Sequence, residues 1–557
     1  MPASGDLGLG EPVSGPRRGW AHRRGTLLLP VLVLGGASAV LLFSTFLYDW
    51  YWYRPAEARG LGPLGLLVNY DVETLQNALG NLAQTVAAVL GITITVVAIV
   101  VQLAATRYTP RVTELFFRER TNLAVLGFFV VVCIQSIWVS VAVGHGFVPE
   151  TSVVVTVLAV TLSLLLMFPY FIYVFAFLDP EQVVGRIESQ AFAATDRLQG
   201  DPAAVDRAQQ RMLAAIEQLA DIAISASDQQ DKLISARAVE ALRVLLVRYT
   251  LAQGELCPEW FGIGESLAAS PDFQAMSEDA RRDLVAGRLW VEWLVLRKYL
   301  TIYDGALDRS PDMNHLIALN TRYVGEAVLA DGSPGAIGLV VKFLNTYLRS
   351  TLNQRQVRTA YNTLNQYRQL AEAMLGKGAD ALASELAGHF RYYAQVAHGS
   401  GLGFVAETVA HDLARLCEVA HGARSGAHEA LLAALLEVDK EAENEAQEAT
   451  LRGVRKAQAR LAAYYLLVGD EAAAGRIQAD LELERPERLA SIRDELLKVR
   501  TKDFWEVVDR GANFDYLDDE RKDRLRVFFS RFAGVPAPNE SLIATEPARS
   551  RHGRLPS

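Results

Sequence analysis

The hydrophobic and polar positions divide the chain near residue 178. Before that point, four stretches carry no charged side chain for longer than the roughly 20 residues a helix needs to cross hydrocarbon. They are residues 25–48, 74–106, 121–149 and 151–178, and they predict spans over about 26–47, 82–104, 123–143 and 152–177. The first closes on Asp49-Trp-Tyr-Trp-Tyr53, an aromatic belt suited to the membrane interface. It is longer than the apolar core of a signal peptide and has no small-x-small cleavage site before charge resumes, so it reads as an uncleaved span.

After residue 178 the period changes to that of amphipathic helices. Val239, Leu242, Leu246 and Tyr249 share one side of a helix over 237–249, the 3.6-residue spacing of a half-buried helix. Similar patterns predict helices at about 181–198, 203–226, 277–303, 312–330, 337–352, 355–375, 380–398, 403–421, 427–438, 441–468, 471–483, 486–499 and 518–533. Glycine clusters at 331–335, 376–378, 399–403 and 422–426 punctuate them. No strand-like alternation occurs outside the spans. The expected fold is all-α: a four-helix transmembrane block followed by a large helical cytoplasmic domain built of helix pairs, with a solenoid as a minority form. The segment Arg460–Ile477 has the helix–Gly-Asp–helix look of one such hairpin. The expected organisation is an Arg-rich tail over 1–25, a membrane domain over 26–178, the helical domain over 179–533 and a disordered tail over 534–557, where prolines and small polar residues gather.

Charge sharpens this picture. Residues 1–178 hold ten arginines, no lysine and nine acids, leaving 45 basic and 55 acidic residues for the rest of the chain, a net of −10. Such a domain lacks the field that neutralises phosphates, which argues against nucleic acid as a partner. Arginines flank the spans unevenly: four precede the first, four lie between the second and third, two between the first and second, and none over 144–150. Cytoplasmic loops retain arginine, so both termini are expected in the cytoplasm. The three cysteines have no metal or redox spacing.

The second span differs from the others. Asn77, Asn81, Gln84, Ala88, Gly91, Thr95, Ala98 and Gln102 form an unbroken stripe of small or amide side chains, while Val86, Val89, Leu90, Val96, Val97, Ile99 and Val100 occupy the other faces. Amides in hydrocarbon need partners and small residues let another backbone approach. The first expectation is therefore a seam inside the four-helix bundle, and the second is the lining of a water-filled pathway. Between spans two and three, Arg107, Pro110, Arg111, Arg118 and Arg120 mark an amphipathic elbow at the headgroups, with Val112, Leu115 and Phe116 turned to the membrane. Pro169 is placed to kink span four.

The run Thr93–Arg111, followed by Phe117-Arg-Glu-Arg-Thr121, resembles a widespread bacterial family of predicted inner-membrane proteins described only as a domain of unknown function. Its members carry a similar Gln-Leu-Ala turn ending in Pro-Arg after their second span. A weaker likeness covers Ile224–Leu242, where this chain lacks two prolines common in the family. The resemblance implies a bacterial inner-membrane location and no particular activity.

Motifs for nucleotide, hydrolase or zinc-protease chemistry are absent from the sequence. Five of the nine histidines, His389, His398, His411, His421 and His428, lie close in sequence without i,i+3 or i,i+4 spacing among them, so they read as surface or core residues rather than ligands. The acids Asp515, Asp518, Asp519 and Glu520 read as a helix start rather than a calcium loop. No catalytic residue, metal or cofactor is called for. The expected function is a membrane-anchored assembly or regulatory protein whose helical domain binds a cytoplasmic protein or copies of itself, with membrane lipids and a homo-oligomer as partners. The alternative is an oligomeric channel or transporter subunit with span two lining the pathway.

Overall fold

The computed structural model describes residues 72–107, 119–144, 147–177, 179–195, 201–438, 445–503, 509–511 and 513–537, with Phe116, Phe117 and scattered helical positions between 36 and 52. The expected Arg-rich tail, most of the span expected over 26–47 and residues 538–557 of the expected tail lie outside these. The described residues are helical, with one isolated bridge pairing Gly144 and Phe147. The chain divides into two compact units, Met1–Val183 and Val184–Ser557.

In the first unit, α1 (Val72–Arg107), α2 (Arg120–Ala142) and α3 (Glu150–Phe177) are long and apolar enough to cross a membrane. Three spans rather than four are therefore described. Thr45, a helical position within the expected first span, accepts a bond from Ser152 of α3 at 2.9 Å. Helix α1 starts ten residues before the expected boundary, because Asn77 and Asn81 lower hydropathy without opposing helix formation. Its 36 residues reach about 54 Å at ~1.5 Å each, well beyond a bilayer core of about 30 Å. Reciprocal backbone bonds of 3.2 Å between Gly144 and Phe147 close the turn from α2 to α3. Pro169 lies inside α3 on an exposed face.

Two apolar clusters hold these helices together. One joins Leu75 and Leu79 of α1 to Val139 and Val143 at the end of α2 and to Val153 of α3. The other joins Val86, Val132 and Val160, one from each helix. The buried face of α1 thus reads Leu75, Leu79, Ala83, Val86, Thr93, Val97, Val101 and Ala104.

The second unit is an array of antiparallel hairpins. After α4 (Pro180–Thr195), which runs across the boundary, come α5 (Pro202–Asp228) and α6 (Lys232–Ala252). Two 3-10 turns and the one-turn helices α7 (Glu265–Ala268) and α8 (Pro271–Gln274) fill 253–276, a stretch with no expected helix. Gln209 of α5 anchors it by donating to the carbonyls of Trp260 and Gly262. The single helix expected over 277–303 is instead α9 (Glu278–Gly287) and α10 (Trp290–Ala306), separated by Arg288 at φ 58°. Apolar period continues through that break, so the period alone did not reveal it.

There follow α11 (Pro311–Asp331), α12 (Pro334–Asn353), α13 (Val357–Gly376), α14 (Asp380–Gly399), α15 (Gly403–Gly422), α16 (His428–Leu436) and α17 (Glu445–Val468). Within this run α11, α13, α15 and α17 pack side by side in one layer, with α6 before them, and α10, α12, α14 and α16 form the other. Stacked hairpins of this kind match the expected helix pairs. The Gly-Asp hairpin is present as well: Gly469 takes φ +84°, a region open to glycine without strain, and Asp470 caps α18 (Glu471–Leu481) by accepting from Ala473 N–H at 2.9 Å. Helices α19 (Pro486–Lys498) and α20 (Asp519–Phe529) complete the unit, and α20 packs back on α17. Asp518 caps α20 through Arg521 N–H, with Asp519 and Glu520 in its first turn, as expected of a helix start.

Candidate functional site

The stripe of α1 is exposed among the described residues, which leave out most of the expected first span. Asn77, Asn81, Gln84, Ala88, Gly91, Thr95, Ala98 and Gln102 are all exposed, on the side of α1 opposite its buried face. Among the described residues, α1 meets α2 and α3 through its apolar face, where Leu79 and Val86 join valines of both helices. A Cβ added at Gly91 would meet nothing within 4 Å, so no described backbone approaches it. Thr95 satisfies its hydroxyl on the Gly91 carbonyl at 2.8 Å.

The polar groups inside the bundle lie elsewhere. Thr93, Asn122, Gln135, Ser136, Ser152, Thr156 and Ser163 are fully buried. Three are satisfied locally: Thr93, Ser136 and Ser163 donate to carbonyls three or four residues back on their own helices. Tyr170 of α3 donates to the side-chain Oδ1 of Asn122, and Asn122 Nδ2 donates to Phe116 O at 3.4 Å. Gln135 and Thr156 are different, since neither amide atom of Gln135 nor the Thr156 hydroxyl has a hydrogen-bond partner among the described residues. Sequence reasoning followed the longer stripe and missed Gln135. Its signal was available as a lone amide in the middle of a Val-, Phe- and Ile-rich span.

At the elbow, Arg107 ends α1 and Arg120 begins α2, while Pro110, Arg111 and Arg118 lie outside the described residues. Phe116, expected to face lipid, is wholly buried. Its carbonyl accepts from Glu119 N–H and Asn122, which draws it into the protein, and Phe117 is the exposed neighbour.

The second unit contains a buried ionic cluster. His411 of α15 stacks on Phe514 with centroids 4.5 Å apart, and ligand atoms of Glu407, His411 and Asp515 lie within 4.8 Å of one another. Around them, Lys456 of α17 bonds Asp515 at 2.8 Å and Glu495 at 2.9 Å, and Arg460 contacts His411 Nδ1 at 3.1 Å. Guanidinium only donates, so Nδ1 accepts and the ring proton sits on Nε2. Burial, then the positive charges of Arg460, Lys456 and Arg510, hold His411 far below the usual imidazole range. Burial and the neighbouring Asp515 raise the Glu407 carboxyl. In this structure Lys456 supplies the cation that meets Asp515 and Glu495. Beside it, Asp412 binds Arg510 at 2.6 Å and Arg368 at 3.3 Å, and Arg510 also donates to Tyr361 O. These contacts fasten 509–515 to α13, α15 and α17.

Three of the other histidines serve polar contacts within the array. His389 Nδ1 meets Tyr367 and Asn345, His421 meets Asp470 at 3.2 Å, and His428 meets Tyr465 at 2.6 Å. Histidine 398 has a buried Nε2 without a hydrogen-bond partner among the described residues. The Glu407–His411 pair was legible as i,i+4, but Lys456 and Asp515 reach it only through the fold.

The spans and the helical array define an all-helical membrane protein. Residues 23–238 match the model of a family described as "Predicted membrane protein (DUF2254)", and over that stretch the chain resembles this family. The matched range contains the turn after α1 from which the likeness was read. No curated protein matches the chain. A solved structure titled "Circular tandem repeat protein with novel repeat topology and enhanced subunit contact surfaces" is similar at 13% identity, covering 73% of this chain and 86% of that one with a TM-score of 0.33. That score is too low to support a shared fold.

Proposed function

We propose that the chain is a membrane-anchored assembly protein that self-associates through α1, with its helical unit offering the surface for a cytoplasmic protein or for other copies. The outward stripe carries this reading. Amides at Asn81 and Gln84 facing lipid would lack partners, and a second copy of the stripe supplies both partners and a close backbone approach at Gly91. Such interhelical hydrogen bonds contribute about 0.5–2 kcal/mol each in a membrane. In this reading the protein lies in the bacterial cytoplasmic membrane with both termini inside, and the elbow arginines hold lipid phosphates.

The test is sizing of the full chain in detergent and in nanodiscs. A Cβ at Gly91 meets nothing within 4 Å among the described residues, so Gly91→Leu is expected to leave the fold intact and reduce the assembly to monomers. An unchanged assembly would remove the reading. For orientation, a cysteine at Gly146 in a Cys-free chain should react with an impermeant reagent in intact cells and one at Gly335 should not.

A second reading has support in the charge pattern. No Asp, Glu, Lys or Arg occurs in 74–106, 121–149 or 151–178, which suits a passive path between copies lined by the same stripe and opposes proton coupling. Loss of flux in proteoliposomes on Gln102→Leu with assembly retained would select it.

A further inference from the structure

We infer that the membrane unit holds water at one internal level, between Gln135 and Thr156, sealed by apolar side chains on both sides. This is independent of self-association, because both residues are buried within one protomer. Their level follows from the helix register. Val139 and Val153 share one apolar cluster, and Val132 and Val160 share the other. Gln135 stands three residues after Val132 and four before Val139, while Thr156 stands three after Val153 and four before Val160. Antiparallel helices with that spacing bring the two to the same height on facing sides. On α1 the corresponding position between Leu79 and Val86 is Ala83, also buried, whose small side chain leaves room.

The chemistry selects the ligand. Gln135 presents a donor and an acceptor and Thr156 a hydroxyl, all buried and without a hydrogen-bond partner among the described residues. Leaving an amide unsatisfied in an apolar medium costs several kcal/mol, and a water molecule with two to four polar partners removes that cost. An ion does not fit, because α2 between 121 and 143 and the facing stretches of α1 and α3 contain no counter-charge. The ligand must be neutral, small and both donor and acceptor. The Leu75, Leu79, Val139, Val143 and Val153 cluster closes one side and the Val86, Val132 and Val160 cluster the other, so the water is occluded rather than part of a continuous column.

The experiment uses the full-length chain in liposomes, labelled with ¹⁵N-glutamine, and water-edited solid-state NMR. The Gln135 side-chain signal, assigned by its loss in Gln135→Leu, is expected to receive magnetisation from water and to lose at least half of that transfer in Thr156→Val. Absence of transfer in the wild-type chain would overturn the inference. So would a shift of that signal on exchanging sodium for potassium, which would assign an ion. A thermal-stability cycle on the same variants supplies a second readout: a shared water makes the double variant less damaging than the two single losses added. Strict additivity would contradict a shared ligand.

Discussion

Glu292 stands in the first turn of α10 with 2% of its surface exposed and with Oε2 lacking a hydrogen-bond partner among the described residues. Burial raises its carboxyl to about 8 against the outweighed pull of its own backbone N–H, and Asp331 adds to the rise. The folded state therefore holds this proton more tightly than the unfolded chain does. Its stabilising contribution is full below the ordinary value of 4.5 and is lost as pH rises through about 8. A gap of that size corresponds to on the order of 5 kcal/mol as a ceiling, at ~1.36 kcal/mol per pH unit. Glu292→Gln keeps the shape and removes the titration. We expect the variant to match the wild type near pH 4.5 and to exceed it by about 3–5 kcal/mol at pH 9. The assay is thermal unfolding of the full chain in nanodiscs, followed by the fluorescence of the buried neighbours Trp260 and Trp290. Parallel melting curves for the two proteins from pH 4.5 to 9 would refute the assignment.

Three further substitutions test the packing. A Cβ at Gly453 would sit 2.3 Å from Glu407 Cδ, so Gly453→Ala should expel Glu407 from its cluster and cost about 1–3 kcal/mol by overpacking; an unchanged melting temperature would show that the side chain moves freely. Arg510→Ala removes the shorter of the two arginine contacts of buried Asp412, and a loss of about 3 kcal/mol is expected, with protease cleavage near 509–515 accelerated; equal cleavage rates would mean that this segment is held by other contacts. Tyr170→Phe strands the Asn122 amide inside the bundle and should cost about 1–2 kcal/mol in bilayer stability measurements, with part of it restored by adding Asn122→Leu. No restoration would deny the pairing.

Where the sequence was readable, local chemistry was the reason. Glycine clusters mark the ends of α11 and α13, and Asp470 and Asp518 cap their helices as their spacing suggests. Charge-free runs located α1, α2 and α3. What failed needed tertiary knowledge. The stripe on α1 is a regular pattern, but a pattern on one helix does not say which face its neighbours take; among the described residues α2 and α3 meet Leu79 and Val86. Arg288 broke an apolar period that ran on through it. Gln135 and Thr156 are separated by 21 positions and a turn, and Glu407 and Asp515 by more than a hundred, so only the fold brings either pair together.

Self-association through α1 is tested most directly by cross-linking. With Cys133, Cys257 and Cys417 replaced, single cysteines are placed at Thr95 on the stripe and at Leu103, which is 63% exposed on its flank. Oxidation in native membranes should join two copies at Thr95 and leave Leu103 monomeric. Cross-linking at Leu103 with none at Thr95, or at neither position, would contradict an assembly built on the stripe.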